Sequence, residues 1–478
     1  MSRTISMRTL LEGWSALETL PGDTHRLLSG LGRDAAAIRP GDAFVAIGRA
    51  IEGANEAAAR GAVAVLHDGA VAAPRLDIPV VDLPGLESRL GELAARFHRH
   101  PAEQLTLAGV TGGRGKTSTA HFIAQAWQRA AGGAGAVSDL GHGPLARPAP
   151  VPASGLDGLA LHAALAESLQ HGVERMVLEF SPRLFEPAAG AELGLDALVY
   201  TASGPAGGID PLRLFADSHP RFAVVNHDHA AGKELSRRIA NGTQVLTFGT
   251  NGATELRGSV LGMDASGMTI RIAGPWGGGE LRTGLLGAFN LSNLLGAAGV
   301  LALLGMPWNQ VMHQVEIMQA APGRLQSLGG EPGQPVVVLD EVSSAAALEE
   351  TLTALRSHLH GRLVCVFGCD AAHDGAERAA MAAMAESLSD RIVMTLGDAA
   401  DENPWAIFED MAQGLRRLPE ARVIEDRAEA IRSAIEESRA GDIVLVAGRG
   451  AGRWSEAAGR AGRCDDAATV RGLLEEAA

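Results

Sequence analysis

The chain of 478 residues is nearly without lysine: of its 41 basic residues only Lys116 and Lys233 are lysines, and arginine supplies the rest. Positive charge is also short overall. With 56 acidic residues the net charge is −15, which argues against a general nucleic-acid or anionic-membrane partner. Cysteine is scarce. Cys365, Cys369 and Cys464 give no disulfide framework. Cys365 and Cys369 sit on an apolar strand-like run and its exit, without the second Cys or His pair that a zinc site needs. Long hydrophobic runs are missing too. The first eleven residues have no apolar core of the signal-peptide type. The most apolar stretch, 294–306, is too short to span a bilayer. A soluble cytoplasmic protein with no membrane insertion is the expectation. There is no internal repeat, heptad run or low-complexity tail.

What is present is globular. Hydrophobic residues make up 46% and charged residues 20%, and the length predicts about three domains. Residues 1–98 read as a small α/β unit. Its strands are 42–47, 62–66 and 78–82, and its helices are 54–60 and 86–98. A second unit, 99–322, has strands at 176–179, 197–200 and 222–225. It adds an alternating antiparallel stretch over about 252–284 and an Ala/Leu-rich helix over 289–304. The Pro/Ala/Gly segment from about Gly132 to Gly155 reads as a flexible loop. Ala321-Pro-Gly-Arg324 punctuates the chain. Residues 323–478 then alternate strands (336–339, 363–367, 391–395, 443–446) with helices, a third and doubly wound α/β domain.

The second unit opens with the stretch Gly109-Val-Thr-Gly-Gly-Arg-Gly-Lys-Thr-Ser118. An apolar strand leads in and a helix over 119–130 leads out. A Gly-rich turn entering a helix presents backbone N–H groups and a positive helix end to phosphates. Lys116 would reach the terminal phosphates and the Thr117 hydroxyl would ligate Mg²⁺. A structural strand-to-helix turn is the alternative. The lysine decides between them, because a chain that uses arginine almost everywhere puts one of its two lysines at the place where a compact ammonium is wanted.

Further motifs follow in a fixed order. They are Arg39-Pro-Gly-Asp-Ala-Phe-Val-Ala46, Leu286-Gly-Ala-Phe-Asn-Leu-Ser-Asn293, Pro322-Gly-Arg324, Val366-Phe-Gly-Cys369, Asp426-Arg-Ala-Glu-Ala-Ile431 and Val446-Ala-Gly-Arg-Gly450. Together with the loop, which matches G-x-T-G-T-N-G-K-T except at Gly113 and Arg114, they resemble the Mur ligase family. The branch they are most similar to adds the third amino acid, diaminopimelate or lysine, to UDP-N-acetylmuramoyl-dipeptide. The resemblance implies three α/β domains: a central P-loop parallel sheet, a substrate-side N-terminal domain and a Rossmann-like C-terminal one. It also implies a chemistry in which ATP phosphorylates a carboxylate and an amine then displaces phosphate to form an amide.

Carried onto this chain, the resemblance gives ATP the cradle Gly112, Gly113, Gly115, Lys116, Thr117 and Ser118. Lys116 and Glu179 would be catalytic, and Thr117 and Glu179 would ligate Mg²⁺. Asn290 and Asn293 would meet adenine, and Arg324 and Asp340 would meet phosphate and ribose. The plain alternatives are a capped strand-end carboxylate for Glu179, hydrogen bonding between helices for the Asn pair, and a local ion pair for Arg324.

The departures from the family cluster on the substrate side. The family's D-S-R reads Asp34-Ala-Ala36, which removes a hydroxyl and a guanidinium from the uridine-diphosphate grip. After Thr201 the family's metal-site His is missing, and no Lys lies between Thr201 and Gly232 to be carbamylated. Lys233 does not match that position and reads as a surface residue. His227 and His229, with no third clustered ligand, make a weak metal site. D-Y-A-H-T-P reads Asp340-Glu-Val-Ser-Ser-Ala345, G-G-D-R-D reads Asp370-Ala-Ala-His-Asp374, and A-G-K-G-H-E reads Ala447-Gly-Arg-Gly-Ala-Gly452. D-N-P-R, whose Arg clamps the incoming amino acid, reads Gly397-Asp-Ala-Ala400. Two functions follow: a ligase of this type acting on a different acid and amine, or an inactive homologue that binds nucleotide and serves another ligase as partner or regulatory subunit. The ordinary tripeptide-forming reaction of peptidoglycan synthesis ranks below both.

Overall fold

The computed structural model describes residues 4–14, 25–185, 193–203, 209–239, 242–397, 399, 402–417, 421–448, 450 and 465–476. Three main sheets of four, ten and six strands organise it, each drawn from one stretch of chain.

At the N-terminus β1 (Ile5–Ser6) pairs with β2 (Leu27–Leu28), and Ser6 caps α1 (Met7–Leu10). The four-stranded sheet is parallel and runs in chain order: β3 (Gly30–Gly32), β4 (Asp42–Ala46), β5 (Ala64–His67), β6 (Val80–Asp82). Alternate strand residues face opposite sides. Val45 and Leu66 join Leu93 of α3 (Leu90–Phe97), while Phe44 and Val65 join Ala54 and Ala57 of α2 (Ala54–Ala59).

The second sheet begins with β7 (Thr106–Thr111), followed by α4 (Lys116–Ala131), β8 (Ala134–Ser138), β9 (Gly141–Pro144), α5 (Gly158–Gln170) and β10 (Arg175–Glu179). It continues with β11 (Ala197–Tyr200), α6 (Pro211–Ser218), β12 (Phe222–Asn226), α7 (Ala230–Arg238) and β13 (Gln244–Gly249). Three long strands follow: β14 (Leu256–Asp264), β15 (Gly267–Gly274) and β16 (Gly277–Thr283). Helices α8 (Phe289–Leu303) and α9 (Trp308–Glu316) close the stretch. The strand order is β16-β15-β14-β13-β12-β11-β7-β10-β8-β9. The pairs from β8 through β14 are parallel, and β9, β15 and β16 are antiparallel additions at the two ends. Because both faces are covered, these strands are apolar throughout rather than alternating. Ala108, Val110, Val177 and Val199 pack under α4 and α8; Leu107, Leu178 and Leu198 pack against Leu161 and Leu165 of α5. The apolar stretch 294–306 is largely α8, buried in this core, and no described helix is long and apolar enough to cross a membrane.

One expectation is overturned here. The segment 132–155 is not a loop throughout, because it carries β8 and β9. All of β8 is buried, and it pairs with β10. Its residues, Ala-Gly-Ala-Val-Ser, are small because β8 runs between covered faces, so composition alone disguised a strand as a linker.

The third sheet has the order β17-β18-β22-β19-β20-β21. In chain order its elements are β17 (Gln326–Gly329), β18 (Val336–Glu341), α10 (Ala345–Arg356), β19 (Leu363–Cys369), α11 (Gly375–Leu388) and β20 (Arg391–Leu396). They continue with α12 (Pro404–Gln413), β21 (Arg422–Val423), α13 (Arg427–Glu436), β22 (Ile443–Gly448) and α14 (Asp466–Glu476). Only β17 is antiparallel, and helices cover both faces. Cys365 and Cys369 are free and buried in β19, as core thiols should be; Cys464 lies outside the described residues.

The last helix is docked by charge. Arg427 of α13 donates from Nε and Nη2 to the two carboxylate oxygens of Asp466 at 2.9 and 2.7 Å, and both residues are buried. Replacing Arg427 with Met removes the two-pronged partner of the buried Asp466 carboxylate. The expected cost is about 3–5 kcal/mol, read as an early unfolding transition of the third module in a thermal melt; an unchanged melt would show that the pair does not hold α14.

Candidate functional site

The site is built on one register. β7 and β10 pair in parallel with Glu179 opposite Val110, so the last residue of β10 stands beside the point where β7 turns into the phosphate loop. The turn depends on two glycines. At Gly112 φ is +124°, and a Cβ would lie 2.8 Å from the carbonyl oxygen of Ala202, the group that accepts the Gly113 N–H at 2.7 Å. Gly115, at φ +81°, begins α4 with no side-chain cap, and the first turn carries no acidic residue. Its N–H groups are therefore left for an anion.

Across the loop, the Thr117 hydroxyl donates to Glu179 Oε1 at 3.0 Å, and the Asp139 N–H donates to Glu179 Oε2 at 3.3 Å. Lys116 Nζ donates to the carbonyls of Gly112 and Gly113 at 3.1 and 2.7 Å. Glu179 is 1% exposed. Burial, reinforced by the nearby Asp139 carboxylate and opposed by Lys116, pushes its carboxyl up to about 7. Ser118 follows on the half-buried first turn of α4.

The remaining predicted residues fall into two groups. Asn293 stands against the loop, so close that a Cβ on Gly115 would meet its Oδ1 at 2.1 Å. Asn293 Nδ2 donates to Asn290 Oδ1 at 2.9 Å, and Asn290 Nδ2 donates to the Leu286 carbonyl at 2.7 Å, so the pair is bonded along its own helix. Arg324 reaches Glu341 at 2.7 Å and Asp139 at 3.7 Å, bridging the second and third sheets. Asp340 has both oxygens engaged inside its own module, one accepting the Leu325 N–H at 2.9 Å and the other the Thr351 hydroxyl at 2.6 Å. Burial raises its carboxyl to about 6. A ribose would have to displace one of these bonds.

Between the second and third modules lies a cleft of about 590 Å³. His121, Asp139 and Arg183 line one wall; Glu341, Ser343, Asp370 and His373 line the other. His373 Nδ1 is 2.8 Å from Asp370 Oδ1, and that carboxylate raises the imidazole above its usual range. Burial pushes His121 down to about 4, so it is neutral at physiological pH. Sequence reasoning missed Asp139, because it directly follows β8, a strand read as part of a loop. It also missed His121, whose only signal is its place one turn after Thr117 on α4. The other sequence candidates stay apart from the cleft. His227 bonds Ser236 at 2.7 Å, Asp228 anchors the turn at Thr250 and Asn251, and Lys233 is exposed on α7. Among the described residues no group of three or more His, Cys, Asp or Glu side chains is placed to hold a metal. Residues 204–208, 398, 400, 449 and 451–452, from the substrate-side segments, lie outside the described residues.

Known proteins agree with this layout. Residues 323–450 match the Mur ligase glutamate ligase domain, and residues 211–301 match the Mur ligase middle domain. Over 96% of its length the chain is 34% identical to 96% of "UDP-N-acetylmuramoyl-L-alanyl-D-glutamate--2,6-diaminopimelate ligase" of Xylella fastidiosa. The enzyme of that name from Xanthomonas campestris is 36% identical, over 94% of each chain. The chain belongs to the Mur ligase family. Among solved structures, a diaminopimelate ligase of the same name superposes with a TM-score of 0.71, 25% identity and 99% coverage of both chains. A Thermotoga maritima MurF ligase in complex with ADP, 16% identical, shares the fold at a TM-score of 0.60. In this member of a family of ATP-dependent ligases, the cleft lies between the phosphate-loop module and the third, doubly wound one.

Two outcomes follow from the geometry. Gly115→Ala meets both the positive φ and the Asn293 contact, so it should cost about 1–3 kcal/mol, read in a thermal melt; no loss would mean that Asn293 moves aside freely. Glu179 ionises near 4.5 when unfolded and about 7 when folded. The folded, ligand-free protein therefore binds the extra proton, and its stability should fall as pH rises between those values. Glu179→Gln should flatten that slope; an unchanged slope would place the titration elsewhere.

Proposed function

We propose that the chain is an ATP-dependent carboxylate–amine ligase working through an acyl phosphate, on an acid and an amine other than UDP-muramoyl-dipeptide and diaminopimelate. Its three domains are taken as 1–98, 99–322 and 323–478. The observation that carries the reading is the buried Thr117–Glu179 pair beside Lys116, set at the uncapped start of α4. Thr117 and Glu179 are the hard oxygen donors that would hold Mg²⁺. Asp139 supports the fit: its N–H bonds Glu179, and its Oδ1 is buried with no hydrogen-bond partner. When bound, the ion would neutralise charge on the transferring phosphoryl group.

The chain's own groups divide the remaining work. The N–H groups of the loop and of the first turn of α4 hold the phosphates, and Lys116 leaves the carbonyls of Gly112 and Gly113 to meet the terminal ones. A substrate carboxylate oxygen attacks the γ-phosphorus and ADP departs. The amine attacks the acyl carbon, phosphate departs, and the nitrogen loses a proton. The cleft between the two modules brings acid and amine together and excludes water.

A changed substrate is supported by the N-terminal domain, where Ala35 and Ala36 stand in place of the family's Ser and Arg. The Asp34 carboxylate accepts the Ala36 N–H at 2.9 Å and so caps its own turn, and neighbouring Arg33 pairs with Asp157 at 2.7 Å. The second reading, a nucleotide-binding partner subunit without catalysis, is favoured by one observation: no lysine lies between Thr201 and Gly232.

Mg-ATP should raise the melting temperature of the protein, and Lys116→Ala should weaken ATP by about tenfold or more. Phosphate release measured with Mg-ATP over a panel of acids and amines should show a productive pair that excludes UDP-muramoyl-dipeptide. Nucleotide stabilisation with no turnover on any pair would favour the partner subunit. Turnover with the muramoyl dipeptide and diaminopimelate would overturn the changed substrate.

A further inference from the structure

Three glycines surround Arg114 in the phosphate loop: Gly112, Gly113 and Gly115. Its side chain is about two-thirds exposed, at 65%, and its Nη1 contacts Glu350 Oε2 on α10 of the third module. The two ends of this inter-module contact differ in kind. Near the C-terminal end of α10, His358 is 1% exposed and wedged into the middle module. Its Nε2 accepts the Gly287 N–H at 2.8 Å, and its Nδ1 lies 2.9 Å from the Asp264 carbonyl. That end is fixed by buried hydrogen bonds to main chain. At the loop, α10 is met by the exposed Arg114–Glu350 ion pair, a kind that yields readily to a competing charge.

The competing charge is set by the nucleotide. The family's second metal-site His and its carbamylated Lys have no counterpart after Thr201 in this sequence, so the γ-phosphoryl group of ATP arrives with few cations beyond Lys116 to meet it. The guanidinium of Arg114 is a planar fork suited to two phosphate oxygens. The same phosphoryl charge repels Glu350. ADP brings no such group.

Resting on the nucleotide reading above, we infer that Arg114 is an ATP-discriminating residue: it binds the γ-phosphoryl group, and Glu350 competes for it in the nucleotide-free protein. Arg114 occupies one of the two loop positions where the chain departs from the family motif, so the device belongs to this chain.

The test is calorimetric titration of the full chain with Mg-ADP and with the non-hydrolysable Mg-AMPPNP. Arg114→Ala should weaken AMPPNP by about tenfold while leaving ADP within about twofold, and Arg114→Lys should fall between. Glu350→Gln should tighten AMPPNP and leave ADP unchanged, a sign that a merely structural ion pair would not give. Lys116→Ala should weaken both nucleotides. Equal effects of Arg114→Ala on the two nucleotides, or weaker AMPPNP binding by Glu350→Gln, would overturn this inference alone. Failure of the unaltered chain to bind either nucleotide would overturn it together with the nucleotide reading.

Discussion

The hydrogen bond between the Thr117 hydroxyl and the Glu179 carboxylate joins the start of α4 to the end of β10, and the site depends on it. It exists because β7 and β10 pair in parallel with Glu179 opposite Val110. A slip of one residue would turn the carboxylate to the other face of the sheet. The register is protected by burial on both faces, where Val110 and Val177 lie in one core and Leu107 and Leu178 in the other. Packing of apolar side chains thus fixes the position of a buried acid that would be costly if left alone.

That acid is held in tension. Burial and Asp139 favour its protonated form, while Lys116 and the Thr117 hydroxyl favour its charge. The protein keeps a buried carboxyl with a raised pKa at the mouth of an uncapped helix, and close by Asp139 Oδ1 has no hydrogen-bond partner, with Arg183 at 3.6 Å. These groups are better satisfied with a cation and phosphates than without them, which is why a nucleotide site is the economical account of the arrangement.

Much of this could be read from the residues. The Gly-rich turn, the buried strand ending in Glu179, the antiparallel stretch over 256–283 and the long apolar α8 each carry a local signature of period or punctuation. What could not be read is non-local. β8 hid in a Gly/Ala/Pro segment because only its neighbours make it a core strand. Asp139 gained its place from that strand, and the contacts Arg324–Asp139 and Arg114–Glu350 join residues more than 180 positions apart. Asp340 illustrates the opposite limit. Its motif position points to a ligand, yet the fold gives both its oxygens to Leu325 and Thr351.

The chain keeps the Mur ligase frame and its phosphate loop, and the proposed change of substrate starts from the side chains lost at Ala35 and Ala36. Asp34 caps its own turn, and neighbouring Arg33 binds Asp157. Side-by-side calorimetry on one preparation tests this division most directly, with Mg-AMPPNP in one cell and UDP-muramoyl-dipeptide in another. The account predicts saturable binding of the nucleotide and none of the muramoyl dipeptide. Saturable binding of the dipeptide, or its binding without the nucleotide's, would contradict it.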